Sequence, residues 1–568
     1  MKPQQKTSRR AKLIVLVLLV IAAAIVLRPS QVAERPSVAG EPPYLTIFLI
    51  DGLTQDAFLK AREGGSVPQL EKLISEGTLI ENGIAAFPSM TGYGYYPFIT
   101  GRDATTSHVL GLRWLHRHSD TGAIRNYVGR TNVQMNPDFI SQPATLYEHV
   151  QPQYTSSFNS FADRGVTHRH LNGWDFTMAK YGEQIWLADV LASNRFTEQF
   201  APDFQQAENN VIDAAIRDLE RRPKIQWITF TSPDATFHLD GDTPLYHTLV
   251  GHVDSLIGRY RQASREAGLE DQRIYALITD HGAAHVTQNL NLEHILGAAG
   301  IPIFRDPAVR LWSDSFDDAL GEYDPYDGIL LVNGNTMNYI YMRHPKTKLW
   351  KDRVSTEQLL SYPSRDGHRV NIIERALAEP GVEHIATRNE DGTVSIFGVG
   401  GRGTIAMQAD GLRYTVEEQD PLGYAAHAQA STLLDGSFHS NQAWLEATTT
   451  TDYPYGIQRL YSLLSAEHCG DLVVLAPLGW DLASDYEMFV GNYRGGHGGL
   501  RADQLRVPYI LAGPGLEAGS IITTARAEDV GATLFELLGL NLPEHAEGRS
   551  LISPKANSPE PPPEADTQ

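Results

Sequence analysis

The sequence predicts an α/β fold with a doubly wound, mostly parallel sheet flanked by helices and interrupted by cap-like insertions. Three short apolar runs have the pattern of strands buried on both faces. They span 44–50, 225–231 and 273–279. Between them lie stretches with apolar residues at helical spacing, at 68–77, 207–222 and 243–268. Because strands that alternate with helices are typical of parallel sheets, these six segments indicate the fold class.

Acidic residues follow the C-terminal end of each predicted strand. Asp51 comes directly after the first run and Asp280 directly after the third, while Ser232 and Pro233 precede Asp234 after the second. Ligands of open α/β sheets usually bind at the carboxyl ends of the strands. The predicted sheet therefore brings three carboxylates to one edge, although they are far apart in the chain.

Three histidines and one threonine accompany these carboxylates and indicate a chemistry. The histidines are His238, His281 and His497, and the threonine is Thr91. Carboxylate and imidazole ligands together suit zinc or a similar first-row divalent ion. Two such ions about 3.5–4 Å apart can clamp the attacking and leaving oxygens of a phosphoryl displacement. Thr91 lies in a glycine-rich turn and is the candidate nucleophile, because a metal-bound hydroxyl loses its proton more easily.

These motifs resemble those of the alkaline phosphatase superfamily, and more closely those of its type I phosphodiesterase/nucleotide pyrophosphatase branch. The nucleophile segment of that branch matches Pro88-Ser89-Met90-Thr91 with Thr100-Gly101. Its Pro-Asp-x-x-x-His motif matches 233–238, its Ser-Asp-His-Gly motif matches 279–282, and its late His-Gly pair matches 497–498. The resemblance covers about residues 43–290 and 470–552.

The resemblance implies two metal ions with separate ligand sets, and zinc as the metal. One ion would be held by Asp234, His238 and His497. The other would be held by Asp51, Asp280, His281 and the Thr91 oxygen. It also implies a reaction in which Thr91 attacks phosphorus and a phospho-threonine intermediate is hydrolysed.

Two departures from the family pattern affect the choice of substrate. Where nucleotide pyrophosphatases keep an asparagine near the bound phosphate, an alignment with a one-residue insertion near 103–107 places Arg113. A guanidinium would act there as a bidentate, charged clamp, so nucleotide specificity does not transfer directly. Six Arg or His residues between 113 and 130 would suit an anionic substrate, or would equally belong to a solvated loop. Cys469 lacks the sequence context of a sulfatase formylglycine.

The N-terminus predicts a membrane anchor. Residues 1–12 are basic without an acid, which suits a cytoplasmic tail, and residues 13–27 are apolar and uncharged. The apolar run is shorter than the roughly 20 residues of a typical span. Residues 28–42 form a proline-rich linker to an extracytoplasmic, periplasmic body. The alternative is a cleaved signal peptide and a secreted protein, because small residues occur at 22–24 and 37–40.

Composition limits the remaining possibilities. The chain has 568 residues and a single cysteine, so it has no internal disulfide and must rely on its core and on metals. Its formal net charge of -21 makes binding to nucleic-acid polymers unexpected. We expect one catalytic domain at 43–552, a cap-like insertion at about 300–465 and a disordered tail at 553–568.

The predicted function is hydrolysis of a phosphodiester or pyrophosphate bond in a small-molecule or lipid-linked phosphate ester. A phosphomonoesterase, or a transferase that passes the phosphoryl-linked group to another alcohol, is the alternative within the superfamily. An alternative of another class is a binding protein that uses a catalytically dead, metal-stabilised fold.

Overall fold

A computed structural model of the chain describes residues 43–118, 123–128, 134–139, 143–170, 196–306, 321–409, 411–483 and 494–552. The predicted basic tail, membrane anchor, linker and C-terminal tail lie outside these residues. Within the described ranges, no helix is both long enough and apolar enough to cross a membrane.

A mostly parallel eight-stranded sheet confirms the predicted fold class. From edge to edge its strands are Ser520–Arg526, Gly77–Ile84, Arg506–Ala512, Arg273–Ile278, Tyr44–Ile50, Ile225–Phe230, Thr155–Phe158 and His168–His170. Within this sheet, Arg506–Ala512 runs antiparallel to both of its neighbours, and the other seven strands share one direction. The three strands predicted from the sequence are adjacent at its centre.

The register of these central strands aligns their C-terminal ends. Ile50 pairs with Phe230 on one side, and Leu49 pairs with Ile278 on the other. The side chains that follow the three strands therefore start from nearly the same level of the sheet, as the sequence predicted.

Both faces of the sheet are covered, which is why its strands are apolar throughout. Along Tyr44–Ile50, Leu45, Ile47 and Leu49 pack into one hydrophobic cluster and Phe48 and Ile50 into another. The second cluster includes apolar residues of the predicted helices, now seen at Pro68–Glu76, Phe196–Asp218 and Pro244–Glu266. The first includes the segment that follows Thr91 and the C-terminal helix Ala527–Leu537.

A second eight-stranded sheet is built mainly from the predicted insertion at 300–465. Its order is Ile303–Arg305, Gly328–Asn333, Met337–Met342, Leu472–Leu475, His384–Arg388, Val394–Gly398, Gly401–Gln408 and Gly411–Val416. Its first pair is parallel and the remaining pairs are antiparallel. Leu472–Leu475 comes from beyond the predicted insertion and lies at the middle of the sheet. The domain boundaries and the role of the insertion as a cap stay predictions.

The remaining elements are short sheets and further helices. The other strands are Arg113–Leu115 with Ile124–Asn126, Tyr362–Pro363 with Arg369–Val370, and Gly479–Asp481, Ala284–Asn289 and Gly495–Gly496 in a three-stranded sheet. The other α-helices are Gln55–Glu63, Tyr96–Thr100, Met135–Asp138, Leu146–His149, Ser232–Asp240, Leu292–Ala298, Thr356–Leu359, Ile372–Leu377, Asn441–Thr448, Gly456–Ser465 and Ala502–Leu505.

A buried ionic network joins Arg459 to Asp103 and Glu528, which lie in three distant segments of the chain. Arg459 is 1% exposed. Its Nη1 donates to Asp103 Oδ2 at 2.7 Å and to Glu528 Oε1 at 3.1 Å, and its Nη2 donates to Glu528 Oε2 at 3.1 Å. Asp103 also caps the turn that follows Gly101, where it accepts the backbone N–H of Thr105 at 2.9 Å. One guanidinium thus neutralises two buried carboxylates.

We expect Arg459→Met to lower the free energy of unfolding by about 3–5 kcal/mol, because it leaves Asp103 buried without its counter-charge and Glu528 with only Arg526, 3.5 Å away. The matched control is Arg259→Met, which removes a pair with Asp213 whose side chains are 45% and 44% exposed. That loss should be about 0–1 kcal/mol. Urea unfolding followed by tryptophan fluorescence measures both, and equal losses would contradict the prediction.

Candidate metal centre

Asp51, Asp234 and Asp280 meet at the carboxyl edge of the parallel sheet. The backbone N–H of Asp51 still belongs to the sheet, since it donates to the carbonyl of Phe230 at 3.0 Å. Gly52 follows with φ +64, and a Cβ there would lie 2.9 Å from the Cα of Asp234. Glycine is therefore required at this position, because it permits both the turn and the close approach of Asp234.

A short helix, Ser232–Asp240, presents Asp234 and His238 on one face. The two residues are four positions apart, which places them one above the other. His238 Nε2 lies 3.4 Å from Asp234 Oδ2. The helix begins at the end of a central strand, where the backbone N–H of Ser232 donates to Glu208 Oε1 at 2.7 Å.

The three predicted histidine ligands have the same hydrogen-bonding pattern. In each, Nδ1 contacts a backbone carbonyl: His238 with Gly495 at 2.9 Å, His281 with Gly282 at 2.9 Å and His497 with Ser89 at 2.7 Å. A carbonyl can only accept, so Nδ1 carries the proton in each ring. The Nε2 atoms are then left with lone pairs directed at the carboxylates, as in metal-bound histidines.

One group of ligand atoms surrounds Thr91. Asp51, Asp280 and His281 each offer an atom within 4.8 Å of the others. His281 Nε2 lies 3.4 Å from Asp51 Oδ1 and 3.5 Å from Asp280 Oδ2. The Thr91 hydroxyl lies 3.1 Å from His281 Nε2 and donates to Asp51 Oδ1 at 3.4 Å.

A second group lies beside the first and shares His281 with it. Asp234, His281 and His497 also offer atoms within 4.8 Å of one another. His238 Nε2 and His497 Nε2 are 3.1 Å apart. The rings of His281 and His497 stack at 3.7 Å. The structure thus brings the six predicted Asp and His ligands and Thr91 together, while their division between two ions stays a prediction.

The charges of this cluster favour a bound cation. Among the described residues, no Lys or Arg forms an ion pair with any of the three carboxylates, and neither Asp280 oxygen has a hydrogen-bond partner. Burial, together with the charges of Asp280 and Asp234, raises the pKa of Asp51 well above its usual value. Burial and the neighbouring His281 lower the pKa of His497 well below its usual value. Divalent ions would compensate the carboxylates and use the Nε2 lone pairs, and this donor set fits zinc.

Two hydrogen bonds connect Arg113 to the second sheet. The residue is 1% exposed. Its Nη1 donates to the carbonyl of Val332 at 2.9 Å, and its backbone N–H donates to Asn333 Oδ1 at 3.1 Å. These contacts join Arg113 to the second sheet, and its role as a phosphate clamp stays a prediction.

Several groups that position the ligands have no signal in the sequence. Ser89 accepts His497 Nδ1–H through its carbonyl and accepts the Gly498 N–H through its hydroxyl at 2.9 Å. The carbonyl of Gly334 accepts the backbone N–H of His497 at 2.7 Å. Most of these partners are backbone atoms, which every residue carries, so only the folded chain reveals which of them act.

The chain is similar to known proteins in family and in fold. A family model described as type I phosphodiesterase / nucleotide pyrophosphatase matches residues 45–500. The structure of human ectonucleotide pyrophosphatase / phosphodiesterase 5 aligns with a TM-score of 0.50 and 12% identity, over 88% of this chain and 95% of that chain. Its murine counterpart, in an inactive form in complex with AMP, aligns with a TM-score of 0.49 and 11% identity, over 88% and 96%. A comparison with curated protein sequences finds no significant match.

The human structure supports the fold alone, because its identity to this chain is low. The family assignment comes from the family model, which extends from the first strand of the parallel sheet to just beyond His497. This chain therefore belongs to the type I phosphodiesterase / nucleotide pyrophosphatase family and is a hydrolase of that class.

Proposed function

We propose that this hydrolase cleaves phosphodiester or pyrophosphate bonds with Thr91 as its nucleophile and two divalent metal ions, zinc by their donor set, as cofactors. The observation that carries the proposal is the position of the Thr91 hydroxyl, 3.1 Å from His281 Nε2 and 3.4 Å from Asp51 Oδ1. A threonine with only a structural role has no need of a place inside a cluster of buried ligands.

Each residue of the centre has a separate task in the proposed reaction. Asp234, His238 and His497 would hold one ion, and Asp51, Asp280 and His281, with the Thr91 oxygen, the other. When bound, such ions lower the pKa of a nearby hydroxyl and stabilise charge on the phosphoryl oxygens. Asp51 and His281 orient Thr91 Oγ1, which attacks phosphorus as the bond to the leaving oxygen breaks. Water then hydrolyses the phospho-threonine and restores the hydroxyl.

The proposals for the substrate and for the location of the enzyme are based on the sequence rather than on the metal centre. We propose a small-molecule or lipid-linked phosphate ester as the substrate, and a body held outside the cytoplasm by residues 13–27. A lipid-linked substrate suits such an enzyme, because both partners would lie at the same membrane. Protease accessibility of the body in intact spheroplasts tests the location, since a cytoplasmic body would be protected.

Thr91→Ala should reduce hydrolysis of an aryl phosphodiester by about a thousandfold or more, because the attacking oxygen is lost. Thr91→Ser should keep part of the activity, since it keeps the hydroxyl. Metal content and melting temperature are the controls and should stay unchanged in both variants. Acid-quenched wild-type reactions should yield the peptide that contains Thr91 with one added aryl phosphate, because only one aryl alcohol of the diester leaves in the first step.

Parallel assays on matched aryl mono- and diesters separate the proposed function from its alternatives. A preference for the monoester identifies a phosphomonoesterase, and product formation only with an added alcohol identifies a transferase. No turnover of either ester by fully metal-loaded protein would favour the catalytically dead binding protein. Full turnover by Thr91→Ala would move the nucleophilic role to water or to Ser89.

Chelation should abolish activity and lower the melting temperature, and the loss of stability should grow as the pH rises. In metal-free protein the pKa of Asp51 is raised, so the folded state is favoured below the usual carboxyl pKa and loses stability as the pH climbs through the raised value. Metal binding has the opposite trend, because protons compete for its ligands at low pH. The melting-temperature gap between loaded and chelated protein should therefore widen from about pH 5 to pH 8. A gap that narrows would contradict this.

Arg113→Asn should shift the ratio of activities towards diesters by about tenfold, or about 1.4 kcal/mol, if the guanidinium meets the extra anionic oxygen of a monoester. Arg125→Asn is a matched control, because Arg125 lies on the paired strand of the same hairpin. Both substrates are measured on both variants well below their melting temperatures. If the ratio of diester to monoester activity is unchanged and the melting temperature is lower, Arg113 has a structural role through its contacts with Val332 and Asn333.

A further inference from the structure

Four histidines pack around one another at a distance from the proposed catalytic centre. This histidine cluster consists of His108, His116, His118 and His468, with the ring of Trp114 as one wall. Tyr341 donates its hydroxyl to the carbonyl of His468 at 2.9 Å. On the same chain segment, the backbone N–H of Thr336 donates to the carbonyl of His497. Thr336 and Tyr341 are five residues apart in the strand Met337–Met342 and the residue before it, and five extended residues span about 16 Å. The histidine cluster is therefore separate from the histidines of the proposed catalytic centre.

His468 is the centre of the cluster. Its ring centroid lies 4.5 Å from that of His116, 5.7 Å from that of His118 and 6.3 Å from that of His108. The residue is 5% exposed, and no group among the described residues hydrogen-bonds its buried Nδ1 atom. A buried polar nitrogen without a partner is costly, so this atom would gain from coordination by a ligand.

The spacing of the rings suits a shared metal ion. With metal–nitrogen distances of about 2.0–2.1 Å, ring centroids lie about 3 Å from the ion and about 5 Å from one another in a tetrahedral site. The three observed separations from His468, 4.5, 5.7 and 6.3 Å, lie on both sides of that value. Centroids are the useful measure here, because rotation about χ2 moves the nitrogens of an exposed ring while its centroid stays near the rotation axis.

The cluster also has suitable charges. Burial, followed by the charges of His116 and His118, lowers the pKa of His468 to about 3, so its imidazole is neutral and keeps a lone pair at pH 7. The nearby Arg117 guanidinium is neutralised by Asp471, with Nη2 2.9 Å from Oδ1. Glu467 Oε1 lies 2.9 Å from His118 Nε2, as carboxylates often lie behind metal-bound histidines.

We propose that His116, His118 and His468, with His108 as a fourth ligand, form a second metal site that binds a late first-row divalent cation such as zinc or copper. Imidazole-rich sites select these ions over magnesium and calcium. In this site, Glu467 would orient His118 from behind. The bound ion would join the segment that follows the nucleophile loop to the start of the central strand Leu472–Leu475 of the second sheet.

Zinc stoichiometry of the full-length protein tests the proposal. Purified protein is equilibrated with buffered free zinc, and bound metal is counted by mass spectrometry. We expect wild type to bind one more equivalent than the double variant His116→Asn/His118→Asn. Hydrolysis of an aryl phosphodiester at saturating zinc should be unchanged, because neither residue belongs to the catalytic centre. The matched control is His545→Asn, whose histidine is 78% exposed and lies 3.4 Å from Glu544, and it should bind as wild type does.

The single variant His118→Asn keeps the test decisive if the double variant folds poorly. Its side chain is half exposed, so the change should not unfold the protein. We expect the extra zinc equivalent to bind at least about tenfold more weakly than in wild type, a difference of about 1.4 kcal/mol. Equal stoichiometry and equal affinity in wild type and variants would overturn the proposal, and would limit the cluster to packing between two segments.

Discussion

Repulsion between three neighbouring carboxylates, of which Asp51 and Asp280 are buried and Asp234 is partly exposed, is the constraint on which the rest of the centre depends. Asp51 and Asp280 start from the ends of adjacent parallel strands, and Asp234 follows the third strand at the same level. Buried charges of one sign are costly unless they are paired. Within the described residues no lysine or arginine forms an ion pair with them, and the three imidazoles direct their Nε2 atoms at them. Metal cations bound between the carboxylates would compensate this repulsion.

Backbone carbonyls decide what the histidines can do. By accepting Nδ1–H, Gly282, Gly495 and Ser89 fix each ring in the tautomer that directs Nε2 towards the carboxylates. The acceptors of the three Nδ1–H groups are backbone carbonyls, so no acidic side chain is needed to orient these rings. Preorganisation of the centre therefore comes from the course of the main chain between the strands.

The sequence predicted the parts of the molecule that repeat a simple physical pattern. Apolar runs that end in acids, such as 44–50 with Asp51, predicted both a buried strand and a carboxylate at its end. The second sheet was only partly predictable, because its strand Leu472–Leu475 comes from outside the segment that supplies the others, and such long-range pairing leaves no local pattern. The contacts of Arg113 with Val332 and Asn333 were missed for the same reason. Backbone acceptors such as the Ser89 carbonyl have no side-chain signature at all.

The hydrogen bonds of Ser89 restrict how the loops of the centre can move. Its carbonyl and hydroxyl bind the segment of His497 and Gly498, while its own backbone leads within two residues to Thr91. Thr91 and His497, which are far apart in the chain, are therefore held in fixed relative positions by Ser89. Anything that displaces one of these loops, such as a bulky leaving group or a lost ion, must displace the other.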